Sequence, residues 1–288
     1  MDMTHEVPAS FRTSATRPGP IGLVAEALGE IRSRRRLIRY LAQADMKKKG
    51  TDTFFGNIWW ILDPLLQMTV YVILVTLIFQ KKQDAYPLFI FAAILPWKWF
   101  TTSMSDAITS VSGQDRLIKQ IQFPKLVLPL AAMFSAVAQF TFGLIPLVGM
   151  LVLFYPSRIS PMLVWIPVVA VVQFVFTLAF GLVLSGLNVF FRDVGNLARH
   201  ILRLWFYLSP ALYGASTVET LARKEPRIAH LMQLNPFYTI LESYRNAIYD
   251  AKVPDLSSLA IVLAGSLVAL LIALFFFKRI EPTFAKVL

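Results

Sequence analysis

Few residues in this sequence are of types that carry out chemistry, and those few are scattered. The 288-residue chain has no cysteine, and its three histidines, His5, His200 and His230, are too far apart for a metal-ligand pattern. No G-x-x-x-x-G-K-S/T phosphate-binding loop and no H-E-x-x-H motif occurs, and no two carboxylates share one level of the predicted helices. The sequence therefore predicts no catalytic site, no metal site and no ATPase site on this chain.

A short basic segment, residues 117–129, stands out because it separates two long apolar runs. Its charges are those of Lys119 and Lys125. Phe123 precedes Pro124, and the residue before a proline is disfavoured in the α conformation, so one helix should stop near Phe123 and another begin soon after. A charged turn between two apolar helices is a surface to which another protein can bind.

The composition indicates a membrane protein. Hydrophobic residues make up 56% of the chain, the mean hydropathy is +0.60, and no charged residue occurs between Lys125 and Arg158 or between Arg158 and Arg192. About 20 apolar helical residues cross a hydrocarbon layer of ~30 Å, so each run is long enough to span it. The net charge of +11 is concentrated in particular loops, which indicates membrane topology and not nucleic-acid binding.

We predict an all-α membrane protein with six transmembrane helices per subunit. The predicted spans are residues 58–79, 86–108, 127–154, 162–189, 197–213 and 256–277. Residues 1–20 predict a disordered cytoplasmic tail, and residues 58–288 form the six-helix domain. Residues 21–57 predict a basic amphipathic helix in the membrane interface, the alternative being an ordinary solvated helix. Residues 234–249 are too short to cross twice, which leaves re-entrant helices or a surface helix.

Lysine and arginine are distributed unequally between the two sides of these spans. Nineteen lie in the N-terminal region, in the turns near Leu117 and Arg192, and at the C-terminal end, whereas eight lie in the opposite connections. Positively charged loops stay in the cytoplasm, so both termini and both turns are predicted to be cytoplasmic. We therefore expect a multi-pass protein of the cytoplasmic (inner) membrane, in contact with membrane lipids.

Several short sequence patches follow one another along the chain. They are Phe55-Gly56 with Trp59 and Pro64, Leu95-Pro96-Trp97, Leu117-Ile118-Lys119, Phe123-Pro124-Lys125, Asn188 with Arg192-Asp193, Ser209-Pro210 with Tyr213, and Asn235-Pro236 with Tyr244-Arg245. In order and spacing these patches resemble the ABC-2 type permease family. The branch that they resemble most is that of polysaccharide exporters for O-antigen, teichoic acid, capsule or cell-wall galactan.

The resemblance implies a homodimer of six-helix subunits that works with two ATP-binding cassette subunits. ATP and Mg²⁺ would bind to those partner subunits, and this chain would be a permease without a cofactor. The resemblance also favours short re-entrant helices between the fifth and sixth spans. Two charged turns would couple ATP hydrolysis to the helices, although each could also be a plain cytoplasmic loop. Their candidate residues are Arg116, Leu117, Lys119, Phe123, Pro124, Lys125, Arg192 and Asp193.

Aromatic side chains are the second set of candidates, because sugar rings can stack on aromatic faces and still slide past them. The candidate residues for a polysaccharide conduit are Tyr71, Trp97, Trp99, Phe100, Trp205, Tyr207 and Tyr213. Tryptophan and tyrosine also collect at membrane interfaces for amphipathic reasons, which is the alternative for each of them.

Lys98 lies inside the second predicted span, 12 residues after Tyr86, or about 18 Å along a helix. An ammonium group at that depth is unfavourable against lipid, so it should face protein, water or a partner. It is a candidate for binding the pyrophosphate of a lipid-linked glycan. Alternatively, its side chain snorkels to the interface past a break at Pro96.

The sequence thus predicts the transmembrane subunit of an ATP-driven exporter of lipid-linked polysaccharide. The alternative within transport is an ABC-2 permease for a lipid or a hydrophobic drug. A membrane glycosyltransferase would need an acidic catalytic group in a large aqueous loop. The only sizeable outer loop offers Glu219, Glu225, Glu242, Asp250 and Asp255 without a recognisable motif. A non-transporting scaffold, the last alternative, would not stimulate the ATPase of a partner.

Overall fold

A computed structural model describes residues 18–51, 54–78 and 83–288, and every regular element in these ranges is helical. The helices are α1 (Pro20–Ser33), α2 (Arg35–Gly50), α3 (Trp59–Ile73), α4 (Tyr86–Ser112), α5 (Asp115–Gln120), α6 (Val127–Leu153), α7 (Trp165–Phe190), α8 (Val194–Leu208), α9 (Ala215–Lys224), α10 (Pro226–Gln233), α11 (Pro236–Ile248), α12 (Leu256–Ile280) and α13 (Phe284–Val287). The predicted all-α class is confirmed. The predicted disordered tail lies almost wholly outside the described residues.

Four helical segments in the described part of the chain are long and apolar enough to cross a membrane. They are Gly56–Thr76, Val127–Leu153, Pro161–Phe190 and Leu256–Val287. The other two predicted spans correspond to α4 and α8. Helix α4 has 27 residues but carries Lys98 and Asp106, and α8 has 15 residues and ends five residues before the predicted boundary at Tyr213.

Helix α4 is the centre of the bundle. Of its 27 residues 18 are buried, including every residue from Leu88 to Trp97. It packs against α3, α6, α7, α8 and α11. A helix that is apolar on all sides is typical of such a central position, whereas α3, α6 and α12 keep large exposed apolar faces.

Two glycines let neighbouring helices approach α4 closely. A Cβ atom on Gly143 of α6 would lie 2.3 Å from Cδ1 of Leu95 of α4, and one on Gly181 of α7 would lie 3.3 Å from Cβ of Ala107 of α4 and 2.8 Å from Sδ of Met133 of α6. Small residues at helix contacts favour association in membranes, where dispersion contacts replace the hydrophobic driving force. These positions therefore set the spacing of α4, α6 and α7.

The basic region before the first span forms two helices. The chain breaks at Arg34, so α1 packs against α12 and α2 packs against α6. Leu23 and Ala27 face the bundle from α1, and Ile38 and Ala42 face it from α2. The region is amphipathic as predicted, although the sequence pattern gave no indication of the break.

Candidate functional site

The first charged turn is a short helix followed by a non-helical segment, residues 121–125, which we call the strap. Helix α5 ends at Gln120, three residues before the predicted break at Phe123, and α6 begins at Val127. Ile118 is buried in a cluster with Leu126 and other apolar residues, which fixes α5 to the bundle. The residues around it are exposed, so one buried side chain anchors a charged surface.

A buried ion cluster lies beside this turn, centred on Lys278 near the end of α12. The Lys278 side chain is 7% exposed, and its Nζ lies 2.8 Å from Glu30 Oε1, 2.8 Å from Glu281 Oε2 and 3.3 Å from Glu26 Oε1. One ammonium group therefore joins two carboxylates of α1 to one that follows α12. We call these four residues the Lys278 cluster.

Glu281 connects the Lys278 cluster to the charged turn. Its second oxygen, Oε1, accepts a hydrogen bond of 2.5 Å from the backbone N–H of Lys125. Farther along, Nζ of Lys119 donates to the carbonyl oxygen of Leu288 at 2.6 Å. The turn is thus held by residues at the C-terminal end of α12 and beyond, and through Lys278 it is connected to α1.

The Lys278 cluster holds three carboxylates and one ammonium group, so negative charge is in excess. Burial raises the pKa of Glu30 above its ordinary value of 4.5, because the hydrogen bond from Lys278 only partly offsets the lost hydration. Oε2 of Glu30 is buried without a hydrogen-bond partner among the described residues. A second ion pair fixes α2, since Nζ of Lys49 lies 2.6 Å from Asp106 Oδ2 of α4.

The second charged turn, at Arg192 and Asp193, is exposed and is fixed by a buried asparagine. Nδ2 of Asn188 donates to the carbonyl oxygen of Ile108 at 3.0 Å and to Oγ of Ser112 at 2.8 Å. Its Oδ1 accepts from the backbone N–H of Gly195 at 3.2 Å. The start of α8 is therefore bound to the end of α4.

Three of the seven predicted conduit residues are buried inside the subunit, and four retain exposure. Trp97 packs against Phe237 with ring centroids 4.8 Å apart, and Trp205 lies 5.6 Å from Phe100. Trp99 points to another side of α4, where it stacks on a phenylalanine of α6 at 4.6 Å. Trp97, Trp99 and Phe100 are buried, and the members of the set that retain exposure are Tyr71, Trp205, Tyr207 and Tyr213.

Lys98 is paired with a carboxylate that the sequence analysis did not connect to it. Its Nζ lies 2.5 Å from Asp63 Oδ2, with side-chain exposures of 37% and 51%. The pair borders a cavity of about 120 Å³ between α3, α4 and α6, together with Trp59, Trp60 and Trp99. Lys98 thus faces a carboxylate of its own chain. Binding of a pyrophosphate by Lys98 remains a prediction.

Patch residues from the region between α8 and α12 meet in the structure. Asn235 accepts from Nε1 of Trp205 at 3.0 Å and donates to Oγ of Ser209 at 2.9 Å. The buried guanidinium of Arg245 donates to the carbonyl oxygens of Ala211 at 2.7 Å and Tyr213 at 2.8 Å. These contacts hold the end of α8 against α11. The sequence patches at Ser209-Pro210 and Asn235-Pro236 therefore have a structural role, which their order and spacing in the sequence did not reveal.

Comparison of the sequence with known proteins identifies its family. Residues 36–249 match the family described as ABC-2 type transporter. The chain is 32% identical to the O-antigen export system permease protein RfbA of Myxococcus xanthus, over 89% of this chain and 97% of that protein. It is 26% identical to a protein of the same name from Klebsiella pneumoniae, over 88% and 95%. The chain therefore belongs to the ABC-2 type transporter family.

Proposed function

We propose that this chain is the transmembrane subunit of an ATP-driven exporter that moves lipid-linked polysaccharide of the O-antigen type across the inner membrane. The observation that carries the proposal is the match to O-antigen export permeases over nearly the full length of both chains. A separate ATP-binding cassette subunit binds ATP and Mg²⁺ and hydrolyses the ATP, because this sequence has no phosphate-binding loop.

The working unit is a homodimer with two ATPase subunits. Helices α4 and α8 complete six spans with the four apolar segments, and both termini lie in the cytoplasm. The unequal distribution of lysine and arginine supports this orientation. The predicted segment 234–249 contains the single helix α11, which is a short re-entrant helix that begins after Asn235. The hydrogen bonds from Trp205 and to Ser209 support this, because they satisfy polar groups that lipid would leave unpaired.

The two charged turns form the contact with the ATPase subunits. Residues Arg116 to Lys125 receive the movement of the ATPase, and the exposed Arg192-Asp193 turn provides a second contact. The Lys278 cluster supports this assignment, because it joins the strap at Lys125 to α12 and to α1. A displacement of the strap is therefore transmitted to two helices at once.

The polysaccharide passes along aromatic side chains that retain exposure, with Tyr71, Tyr207 and Tyr213 in direct contact. Trp97, Trp99 and Phe100 support the wall from behind in the conformation described, and become part of the lining only if the helices separate. Lys98 binds the pyrophosphate of the carrier lipid, and the ligand has to displace Asp63 to do so. Export that is unaffected by Lys98→Ala would refute this role.

The experiment is copurification and complementation. The chain is expressed with the ATPase encoded beside it, and surface glycan is measured in cells that lack the permease gene. We expect a stable complex and restored surface glycan. If no ATPase copurifies, or if glycan reaches the surface without the permease, the exporter function is wrong. Transport of a lipid or drug without glycan synthesis would favour the alternative permease function.

A further inference from the structure

Helix α8 has three different sides. One side packs against α4 and α7 through Ala198, Leu202 and Phe206. A second side is exposed and apolar, and it consists of Leu197, Ile201, Leu204 and Leu208. The third side is exposed and polar, and it consists of Asn196, Arg199, His200, Arg203 and Tyr207. We call this third side the basic stripe.

The basic stripe reaches the level of the bundle interior. Trp205, two residues after Arg203, contacts Trp97 at 6.4 Å and Phe237 at 5.5 Å between ring centroids. Trp97 is the twelfth of the 27 residues of α4, so these contacts lie near the middle of that helix. Arg203 and Arg199 lie about 3 Å and about 9 Å closer to the Arg192 turn along the helix. Guanidinium groups between that turn and the middle of the bundle are unfavourable against lipid, so they need water or an anion.

Some cations of the other bundle helices have carboxylate partners in the described part of the chain, whereas Arg279 of α12 contacts the ring of Phe275. Lys98 pairs with Asp63, and Lys278 pairs with Glu281. Arg199 donates only to the carbonyl oxygen of Gly195 and to Oδ1 of Asn196, and both of these acceptors are neutral. Neither Arg199 nor Arg203 forms an ion pair with any carboxylate in residues 18–51, 54–78 and 83–288.

We propose that Arg199 and Arg203, with His200 between them, form the main contact with the phosphate groups that join the lipid to the glycan of the exported substrate, and that Lys98 is a weaker second contact because Asp63 already occupies it. Residues i and i+4 on a helix face lie about 5–6 Å apart, so both guanidinium groups can contact one diphosphate. Arginine binds phosphate oxygens through two parallel hydrogen bonds, which suits a charged group that passes a fixed position. The inference rests on the proposed function and assigns a binding site to the diphosphate group of its substrate.

The same side of α8 also suits the sugar that follows the phosphate. Tyr207 lies one turn above Arg203 and is 56% exposed, so its ring is available for stacking. Asn196, one turn below Arg199 and His200, offers an amide to hydroxyl groups. The order of groups along α8 is therefore basic at the start and aromatic at the end. The uncharged, apolar side of the helix remains for lipid or for the second subunit.

The test is a binding measurement on the full chain in nanodiscs of phosphatidylcholine. The probe is farnesyl diphosphate, with farnesol as the uncharged control, and binding is followed by thermophoresis. We expect Arg199→Gln/Arg203→Gln to raise Kd about tenfold to a hundredfold, because charged hydrogen bonds are lost. Arg199→Lys/Arg203→Lys should raise Kd less. The matched control Arg223→Gln/Lys224→Gln, two exposed cations of α9, should leave Kd unchanged.

Three results would overturn the proposal. Kd could be the same for wild type and Arg199→Gln/Arg203→Gln. Nanodiscs with phosphatidylglycerol could abolish probe binding, which would assign the stripe to anionic lipid headgroups. The double variant could convert the dimer to monomers on sizing with Kd unchanged, which would assign the stripe to the second subunit. Because the assay contains no ATPase, its outcome is independent of copurification, so failure of this proposal and failure of the exporter function are distinguishable.

Discussion

The Lys278 cluster and the basic stripe of α8 use cations in opposite ways. Lys278 is almost fully buried and touches three carboxylates, whereas Arg199 and Arg203 are exposed and touch none in the described ranges. A buried charge with several partners fixes the relative positions of the elements that carry them. An exposed guanidinium group without a carboxylate partner keeps its charge available for an anionic ligand. The first arrangement serves the structure, and the second serves the substrate.

The largest effect is expected for Lys278→Met, which tests whether the Lys278 cluster stabilises the fold. The substitution leaves the buried carboxylate of Glu281 and the partly exposed carboxylates of Glu26 and Glu30 without their shared cation. We therefore expect a loss of up to about 3 kcal/mol in the free energy of unfolding, the lower end of the range for buried pairs. Unfolding in mixed micelles, followed by circular dichroism, measures it. Lys286→Met, at an exposed lysine of α13, is the control and should be near neutral. Equal stability of the two variants would show that the Lys278 cluster does not hold α1 to α12.

Arg199→Gln/Arg203→Gln should reduce export and leave stability nearly unchanged. Because both side chains are exposed, we expect the free energy of unfolding to change by less than about 0.5 kcal/mol. Export of surface glycan, measured in the complemented strain, should fall about tenfold or more if phosphate contacts of ordinary strength are lost. A loss of stability together with export would contradict the division between the two regions.

Lys98→Ala tests a cation that is partly exposed and paired with a single carboxylate. Its pair with Asp63 is partly exposed, and pairs of that kind contribute about 0–1 kcal/mol, so stability should change little. We expect export to fall less than in Arg199→Gln/Arg203→Gln, because a phosphate at Lys98 must compete with Asp63. Surface glycan from both strains, measured side by side, gives the ratio. A larger fall with Lys98→Ala would place the main anion contact at Lys98.

The smallest effect is expected at Asp255, before α12. Hydrogen bonds from the hydroxyls of Ser257 and Ser258 lower the pKa of Asp255 to about 2 from its ordinary 3.8. A lowered pKa stabilises the folded state above the ordinary value, and this contribution disappears as the pH falls through about 3.8 towards about 2. Thermal unfolding of wild type and Asp255→Ala should therefore differ at neutral pH and converge near pH 2. A constant difference would contradict the capping role.

The sequence predicted the long apolar helices well. The third and sixth predicted spans, residues 127–154 and 256–277, correspond closely to α6 and α12, because uncharged runs have one stable arrangement in lipid. The break in the N-terminal region at Arg34 was missed, because its sequence carries no proline or glycine signal there.

The contacts that organise the candidate site could not be predicted. Lys125 and Glu281 are 156 residues apart, and no periodic pattern joins them. The i,i+3 spacing of Lys278 and Glu281 was a usable signal for their pairing, but Glu30 comes from the opposite end of the chain. The three sides of α8 follow from helical periodicity, whereas the packing of one of them against α4 and α7 required the structure.

The central claim is that the strap, residues 121–125, transmits ATP hydrolysis to the helices. The most direct test is the amount of glycan exported per ATP hydrolysed, measured for the reconstituted complex with and without Phe123→Ala/Lys125→Ala. We predict that the double variant still assembles with the ATPase and hydrolyses ATP but exports much less glycan per ATP. An unchanged ratio of glycan to ATP would contradict the account.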